Sequence, residues 1–348
     1  MINRWLDIGV DGFRCDVINL ISKDYESDHI GDGPNLHKYL HELHERCFDP
    51  HDAMTVGEVY GLSPDEALDL IAPERGELTL VFQFEHMRAG RIDGQRFFMR
   101  EFDPHEYVAA LARWQYGLNG RAWNALCMEN HDQPRCIDRF GSVGYRRESA
   151  KMLAALLYLM QGTPFIYEGQ EFGSINPVFR TLEECDDIET KQIQDYLIED
   201  FGFDDAMAAI SLDSRDCARV PVAWDGSETG GFSSGKAWIK YNDFRSEVNA
   251  EKDLADKNGV YCFYQKILAL RKEKPVLARG GFELIRNECG TVVYRRYKEG
   301  EKDIFVVLNY GDEENGFDFS EYKGDLLLSG YGDIPEKLRP WECLVFEK

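Results

Sequence analysis

A short run near the start of the chain, Val10-Asp11-Gly12-Phe13-Arg14-Cys15-Asp16, begins with apolar and small residues and ends in charged ones. Comparable runs recur along the sequence, and a helical stretch follows each of them. They lie at residues 10–14, 54–59, 78–84, 125–128 and 165–167. Strands that alternate with helices are typical of a parallel sheet. The sequence therefore predicts an α/β fold with five strand–helix units.

The pattern changes after residue 274. Short strands without intervening helices are predicted at residues 282–285, 291–297, 304–308, 326–328 and 342–346. We therefore predict a boundary after residue 274, with a parallel α/β domain at residues 1–274 and a small antiparallel β domain at residues 275–348. A long, weakly periodic insertion at about residues 176–258 interrupts the last strand–helix unit, and insertions of this kind usually carry function.

The composition excludes several classes of partner. The net charge of -23 repels phosphate backbones and anionic lipid heads, which argues against nucleic acid and membrane partners. The nine cysteines are scattered and odd in number, which favours a reducing compartment. No stretch approaches the length of a membrane span, and the first residues lack a secretory signal. We expect a cytoplasmic protein that acts on a small molecule.

Three carboxylates lie where predicted strands end: Asp16, Glu58 and Asp132. In a parallel barrel these strand ends meet on one face, where active sites lie. Each aspartate alone is also a good cap for the helix that follows it. Together, however, an ionised and a protonated carboxylate are what glycosidic bond cleavage requires. Arg14 is placed to keep Asp16 ionised, and the apolar run before Glu58 favours the protonated form that a general acid needs.

The sequence around these carboxylates resembles the α-amylase family. Residues 11–19 resemble its nucleophile region, residues 55–58 its acid/base region and residues 129–135 its third-carboxylate region, in the same order and spacing. The resemblance continues at residues 81–87, 162–169, 214–221 and 235–239, and it points to the branch of oligo-1,6-glucosidases and dextran glucosidases. It implies an incomplete (β/α)8 TIM barrel that supplies strands four to eight, followed by the antiparallel β domain.

The resemblance also implies roles for individual residues. Asp16 would be the nucleophile, Glu58 the acid/base, and Asp132 the carboxylate that stabilises the oxocarbenium-like transition state. Arg14, His131 and Arg219 would bind the same glucose. The implied reaction is retaining, needs no cofactor and uses a small oligosaccharide as substrate.

Val17, directly after the implied nucleophile, indicates linkage specificity. In this branch valine accompanies α-1,6 cleavage, although a β-branched residue next to a strand is also explained by packing. The sequence departs from the usual pattern at Cys15 and at residues 58–61, Glu-Val-Tyr-Gly, which leaves the preference among short isomalto-oligosaccharides open.

A complete barrel has eight strands, and we expect three of them to be missing, because the sequence begins within what resembles the end of a helix at residues 2–8. The missing part of the family's barrel would hold another sugar-binding aspartate and the loop that binds calcium in some members. We therefore expect the chain alone to be impaired, and its missing N-terminal half is a possible separate partner. An open sheet edge would also be exposed.

Other interpretations remain open. A trehalose-6-phosphate hydrolase or a sucrose isomerase would share the three carboxylates, and a non-catalytic half-barrel binding module would need none of them. His37, His41 and His44 have helical spacing that suggests zinc, but there is no H-E-x-x-H motif and acidic residues surround them, so we predict no metal site.

Overall fold

The computed structural model describes residues 1–25, 31–322 and 324–348. The described strands are β1 (Gly12–Cys15), β2 (Met54–Glu58), β3 (Leu80–Phe82), β4 (Ala125–Leu126), β5 (Thr163–Pro164), β6 (Gly281–Glu288), β7 (Thr291–Tyr297), β8 (Ile304–Asn309), β9 (Asp325–Ser329) and β10 (Cys343–Glu347). The described α-helices are α1 (Ile2–Ile8), α2 (Leu36–Leu43), α3 (Pro64–Ile71), α4 (Pro104–Leu118), α5 (Cys136–Phe140), α6 (Arg146–Tyr158), α7 (Ile188–Phe201), α8 (Phe203–Asp213), α9 (Asp216–Arg219), α10 (Ala250–Ala255), α11 (Val260–Glu273) and α12 (Pro275–Arg279).

These elements form two compact units. The first unit contains Met1–His86, Ala109–Leu126 and Gln161–Pro164, and the second contains Met87–Val108, Cys127–Met160 and Phe165–Lys348. The boundary that we predict at residue 274 stays a prediction. None of the described helices is both long enough and apolar enough to cross a membrane.

The first unit contains two parallel ladders, β1-β2-β3 and β4-β5. Gly12 lies opposite Met54, and a Cβ atom at residue 12 would come within 2.2 Å of the Met54 carbonyl oxygen, so only glycine allows this strand spacing. Helix α3 begins with a capping box, in which the N–H groups of Ser63 and Glu66 each donate to the side chain of the other residue. The apolar faces of α2, α3 and α4 pack around the sheet residue Val81.

Five parallel strands are therefore present near the five predicted runs, but the last one is displaced. The prediction placed it at residues 165–167, whereas β5 is Thr163–Pro164. The N–H of Thr163 pairs with the Asn124 carbonyl at 2.8 Å, and the N–H of Tyr167 is taken by the Gln170 side chain at 3.1 Å. Backbone groups beyond Pro164 thus have partners outside the sheet. The number of strands in a barrel remains a prediction.

The second unit is built around α6, which is buried from Ser149 to Tyr158. The antiparallel sheet has the order β6-β7-β8-β10-β9, which confirms the predicted C-terminal antiparallel structure. Strand β7 contacts α6 through the Tyr294 hydroxyl, which donates to the carbonyls of Ala155 at 3.0 Å and Leu156 at 3.1 Å. The side chain of Val293 points to the other face, where it packs with Val307, Leu344 and Phe346.

The insertion at about residues 176–258 is more ordered than its weak periodicity indicated. It contains α7, α8, α9 and α10. Leu197 of α7 and Ile210 of α8 are fully buried in one apolar cluster with Cys217. These helices are rich in acidic residues, and the tertiary burial of a few apolar side chains stabilises them.

Candidate active site

The ends of β1 and β2 bring two of the predicted carboxylates to one edge of the first unit's sheet. Cys15 lies opposite Gly57 in the parallel register, so Asp16 and Glu58 come next on their respective strands. A Cβ atom at residue 57 would meet Leu78 at 2.8 Å and Ile18 at 3.0 Å, which explains the glycine. The Asp16 side chain is 75% exposed, whereas that of Glu58 is 3% exposed. The two carboxylates therefore have different environments.

Arg14 contacts both carboxylates. Its Nη2 lies 2.6 Å from Glu58 Oε2, and its Nη1 donates to Asp16 Oδ1. Burial alone would lower the pKa of Arg14, but the hydrogen bond to Asp16 and the charge of Glu58 outweigh it, and the pKa is raised. The guanidinium therefore stays protonated and offsets part of the negative charge of the pair.

Val17 turns the chain sharply after Asp16. Its φ of 34° and ψ of 49° lie in the left-handed region, which is unfavourable for a β-branched residue. This turn directs the Val17 N–H at Glu58 Oε2, at 3.3 Å. The residue implied to control specificity thus also contacts the implied acid/base through its backbone.

Tyr60 is a neighbour of Glu58 that the sequence did not single out as a site residue. Its hydroxyl donates to Glu58 Oε1 at 3.1 Å. The ring stacks on Phe84 with centroids 4.5 Å apart and an interplanar angle of 16°. The available signal was the unusual sequence of residues 58–61 and the two-residue spacing from Glu58, which places both side chains on one side of an extended segment.

The second unit brings together His131, Asp132 and Arg219. His131 Nε2 lies 3.2 Å from Asp132 Oδ2, and Arg219 Nη2 contacts Asp132 Oδ1. Arg219 Nε also donates to the His131 carbonyl at 2.8 Å. The Asp132 N–H donates to Asn130 Oδ1 at 2.7 Å, which closes the turn. One arginine thus fixes the side chain of Asp132 and the backbone beside it.

Further charged residues surround Asp132 that the sequence analysis did not name. Arg96 donates to the Asp132 carbonyl, and Arg215 Nη1 lies 3.7 Å from Asp132 Oδ1. Arg215 Nη2 is 2.6 Å from Asp187 Oδ1. Burial alone would raise the pKa of Asp187, but the hydrogen bonds from Arg215 and Thr190 lower it below its usual value. The four-residue spacing of Arg215 and Arg219 was the one local signal for this cluster.

The second unit also contains a buried cluster of charged side chains around Asp213, which is close to Arg215 in the sequence. Asp213 is fully buried and accepts hydrogen bonds from Arg91 Nη2 at 2.6 Å and from Arg139. Burial alone would raise the pKa of Asp213, but the two guanidinium groups lower it. Arg91 also donates to Gln133 at 3.1 Å, next to Asp132 in the sequence. The cluster therefore helps to fix the loop that carries Asp132.

The histidines of α2 use separate partners. His37 Nδ1 lies 2.9 Å from Glu77 Oε2, and His41 Nδ1 lies 3.1 Å from the Gly76 carbonyl. Over the part of the chain that the structure describes, no group of three or more His, Cys, Asp or Glu residues is arranged to hold a metal ion.

The structure therefore groups the predicted site residues in two sets. Arg14, Asp16, Val17 and Glu58 lie together in the first unit, and His131, Asp132 and Arg219 lie together in the second. Their roles, and the convergence of all three carboxylates on one sugar, stay predictions.

Comparisons with known proteins identify the class. A model of the α-amylase catalytic domain matches residues 1–280. The chain is 39% identical to an oligo-1,6-glucosidase of Parageobacillus thermoglucosidasius, over 100% of this chain and 67% of that protein. The chain belongs to the α-amylase family of glycoside hydrolases.

Solved structures give the same fold with different reactions. The trehalose-6-phosphate hydrolase of Bacillus licheniformis superposes with a TM-score of 0.92 at 34% identity, over 99% of this chain and 66% of the other. The isomaltulose synthase of Klebsiella sp. LX3 also gives a TM-score of 0.92, at 28% identity and the same coverage. The chain thus spans about two thirds of the length of these relatives.

Proposed function

We propose that the chain supplies the catalytic carboxylates of a retaining α-glucosidase that hydrolyses terminal α-1,6 bonds of isomaltose and short isomalto-oligosaccharides. The observation that carries the proposal is that one guanidinium, that of Arg14, contacts both Asp16 and Glu58. A buried and an exposed carboxylate held side by side suit an acid/base and a nucleophile.

The reaction would proceed in two steps without a cofactor. Asp16 attacks the anomeric carbon while Glu58 gives its proton to the leaving oxygen, so that the glycosidic bond breaks and a β-glucosyl ester of Asp16 forms. Glu58 then accepts a proton from water, which attacks the same carbon and releases α-glucose together with the free Asp16 carboxylate.

Asp132 would bind the sugar and stabilise the developing positive charge. Its contacts with His131 and Arg219 support this role, because they hold the carboxylate in one orientation before the substrate arrives. The acidic chain and its scattered cysteines favour a cytoplasmic enzyme with a neutral sugar substrate, and the proposal includes no nucleic acid or membrane partner. The proposed protein partner is an N-terminal half supplied separately.

The α-1,6 preference is supported by Val17 and by the 39% identity to an oligo-1,6-glucosidase. The second candidate is a trehalose-6-phosphate hydrolase, because the chain is 34% identical to a protein of that name and 28% identical to the isomaltulose synthase. A sucrose isomerase would convert sucrose rather than release glucose from isomaltose. A non-catalytic binding module would leave all these sugars unchanged.

The proposal is tested by product analysis with isomaltose, maltose, trehalose 6-phosphate and sucrose. We expect glucose from isomaltose above all, and its loss in Asp16→Asn but not in Asp65→Asn, a control at a side chain that is 89% exposed. Because the sequence indicates impaired turnover, long incubations at high enzyme concentration are required. Equal glucose release by wild type and Asp16→Asn would refute the assignment.

Azide separates the two carboxylate roles. With p-nitrophenyl α-glucoside, Glu58→Ala should give α-glucosyl azide, because azide attacks the β-glucosyl ester in place of water. Asp16→Ala should give the β-azide, because azide then displaces nitrophenolate directly. The opposite anomers, or the same anomer from both variants, would contradict the proposed roles.

A further inference from the structure

The two oxygens of the Glu58 carboxylate have different partners. Oε2 faces two N–H donors, Arg14 Nη2 at 2.6 Å and the Val17 N–H at 3.3 Å. Oε1 faces the Tyr60 hydroxyl at 3.1 Å. Arg14 also contacts Asp16, so within the described residues the same guanidinium links the two carboxylates.

This asymmetry determines which oxygen can carry a proton. A proton on Oε2 would point at N–H groups that only donate, and it would displace the charge-assisted contact with Arg14. A hydroxyl, in contrast, can donate to an ionised oxygen or accept from a protonated one by rotating its hydrogen. Oε1 can therefore gain and lose a proton while it keeps its partner.

The position of the Tyr60 hydroxyl is fixed by its ring. The ring stacks on Phe84, which is 4% exposed, while Tyr60 itself is 48% exposed. A buried partner thus anchors a side chain that is itself partly exposed. The hydroxyl is thereby held beside Oε1 of the buried carboxyl group.

We propose that Tyr60 is a positioning residue for Glu58, whose Oε1 is the oxygen that exchanges the proton with the substrate. The inference rests on the acid/base role proposed for Glu58. In the resting acid the proton stays on Oε1, and the Tyr60 hydroxyl oxygen accepts a hydrogen bond from it. As the glycosidic bond breaks, this proton passes to the leaving oxygen, and the Tyr60 hydroxyl turns to donate to the new carboxylate. Oε1 then takes a proton from the attacking water.

The kinetic test is Tyr60→Phe, which removes the hydroxyl and keeps the stacked ring. For isomaltose, kcat/KM should fall about tenfold, the effect of one charge-assisted hydrogen bond, with KM changed less than about twofold. For p-nitrophenyl α-glucoside, whose leaving group needs little protonation, kcat/KM should fall less than about threefold. The alkaline limb of the isomaltose pH profile should move to higher pH, because the carboxylate has lost a donor.

The matched control is Tyr39→Phe, at a tyrosine of α2 that is 38% exposed, and it should behave as wild type. An unchanged profile and unchanged kcat/KM in Tyr60→Phe would overturn the proposal. Equal losses on both substrates with a raised KM would also overturn it, since they would assign Tyr60 to sugar binding.

A second measurement does not depend on turnover. With glutamate labelled at its carboxyl carbon with ¹³C, the Glu58 signal is assigned by its absence in Glu58→Gln and followed from pH 4 to pH 10. Its titration midpoint should lie at higher pH in Tyr60→Phe than in wild type or Tyr39→Phe. An unchanged midpoint would overturn the positioning role even if the chain is active. A shifted midpoint in a chain whose Asp16→Asn variant releases as much glucose as wild type would support the contact and refute the proposed function alone.

Discussion

Arg219 holds Asp132 at two points, through its contact with the carboxylate and through a 2.8 Å hydrogen bond from Nε to the carbonyl oxygen of the preceding residue, His131. A guanidinium makes both contacts in one plane, whereas an ammonium group makes only one of them at this distance from the backbone.

We therefore expect Arg219→Lys to lower kcat/KM for isomaltose about tenfold to a hundredfold while the chain stays folded. Steady-state kinetics together with circular dichroism measure the two effects. Arg180→Lys is the control, because Arg180 is 60% exposed and its partner is Asp243. Wild-type kinetics in Arg219→Lys would contradict the prediction.

The buried cluster around Asp213 predicts a large loss of stability. In Asp213→Asn two buried guanidinium groups, those of Arg91 and Arg139, lose their shared negative partner, which costs about 3–5 kcal/mol. Urea unfolding measures this loss. Asp325→Asn, at a side chain that is 76% exposed, should change stability by less than about 1 kcal/mol.

The same cluster predicts that the stability of the folded chain falls at acid pH. Because the pKa of Asp213 is lowered in the folded chain, its contribution is fully present above its ordinary pKa of 3.8 and is lost as pH falls below that value. The thermal midpoint of wild type should therefore fall between about pH 4 and pH 2, and this part of the fall should be absent from Asp213→Asn. Parallel curves for the two proteins would show that other groups cause the acid loss.

The buried carboxyl group of Glu342 should make the folded chain less stable as pH rises near neutrality, which is the opposite of the effect of Asp213. It is fully buried, its Oε2 accepts from Arg339 Nε at 2.6 Å, and within the described structure its Oε1 has no hydrogen-bond partner. Burial raises its pKa from 4.5 to about 7. The folded chain thus keeps a proton that the unfolded chain loses, and stability falls as pH rises through this interval.

Glu342→Gln imitates the protonated form, so its thermal midpoint should change less between pH 5 and pH 8 than that of wild type. Glu299→Gln, at an exposed position, should keep the wild-type slope. The same slope in all three proteins would exclude Glu342 as the source.

The side chain of Val17 is proposed to favour α-1,6 over α-1,4 bonds, and its substitution tests this role. In Val17→Ala the ratio of kcat/KM for isomaltose to that for maltose should fall about tenfold, the size expected for one or two methyl groups in a pocket. Parallel assays with the two disaccharides measure the ratio. The control is Val293→Ala, which makes the same substitution in β7, far from residue 17 in the sequence. It should leave the ratio unchanged. An unchanged ratio in Val17→Ala would remove the specificity role.

Local patterns predicted the strands that carry Arg14 and Glu58, since an apolar run with a polar end is visible within a few residues. The same reasoning missed α7 and α8, because Leu197 and Ile210 become buried only through contacts between distant segments. It also missed Asp187, whose hydrogen bond with Arg215 joins residues 28 positions apart. A single sequence gives no signal for such pairs. Tyr60 was accessible to sequence reasoning through its spacing from Glu58, but an aromatic residue gives no local sign of what its hydroxyl contacts.

The left-handed backbone at Val17 has a consequence for engineering. The turn that presents the Val17 side chain is also the turn that aims its N–H at Glu58. Replacements that favour this conformation, such as asparagine, keep the N–H contact while they alter the side chain, whereas bulkier β-branched residues put both at risk. On the roles proposed for Val17 and Glu58, libraries at residue 17 will mix two phenotypes, changed substrate choice and changed proton transfer. Screening on one glucoside alone will not separate them.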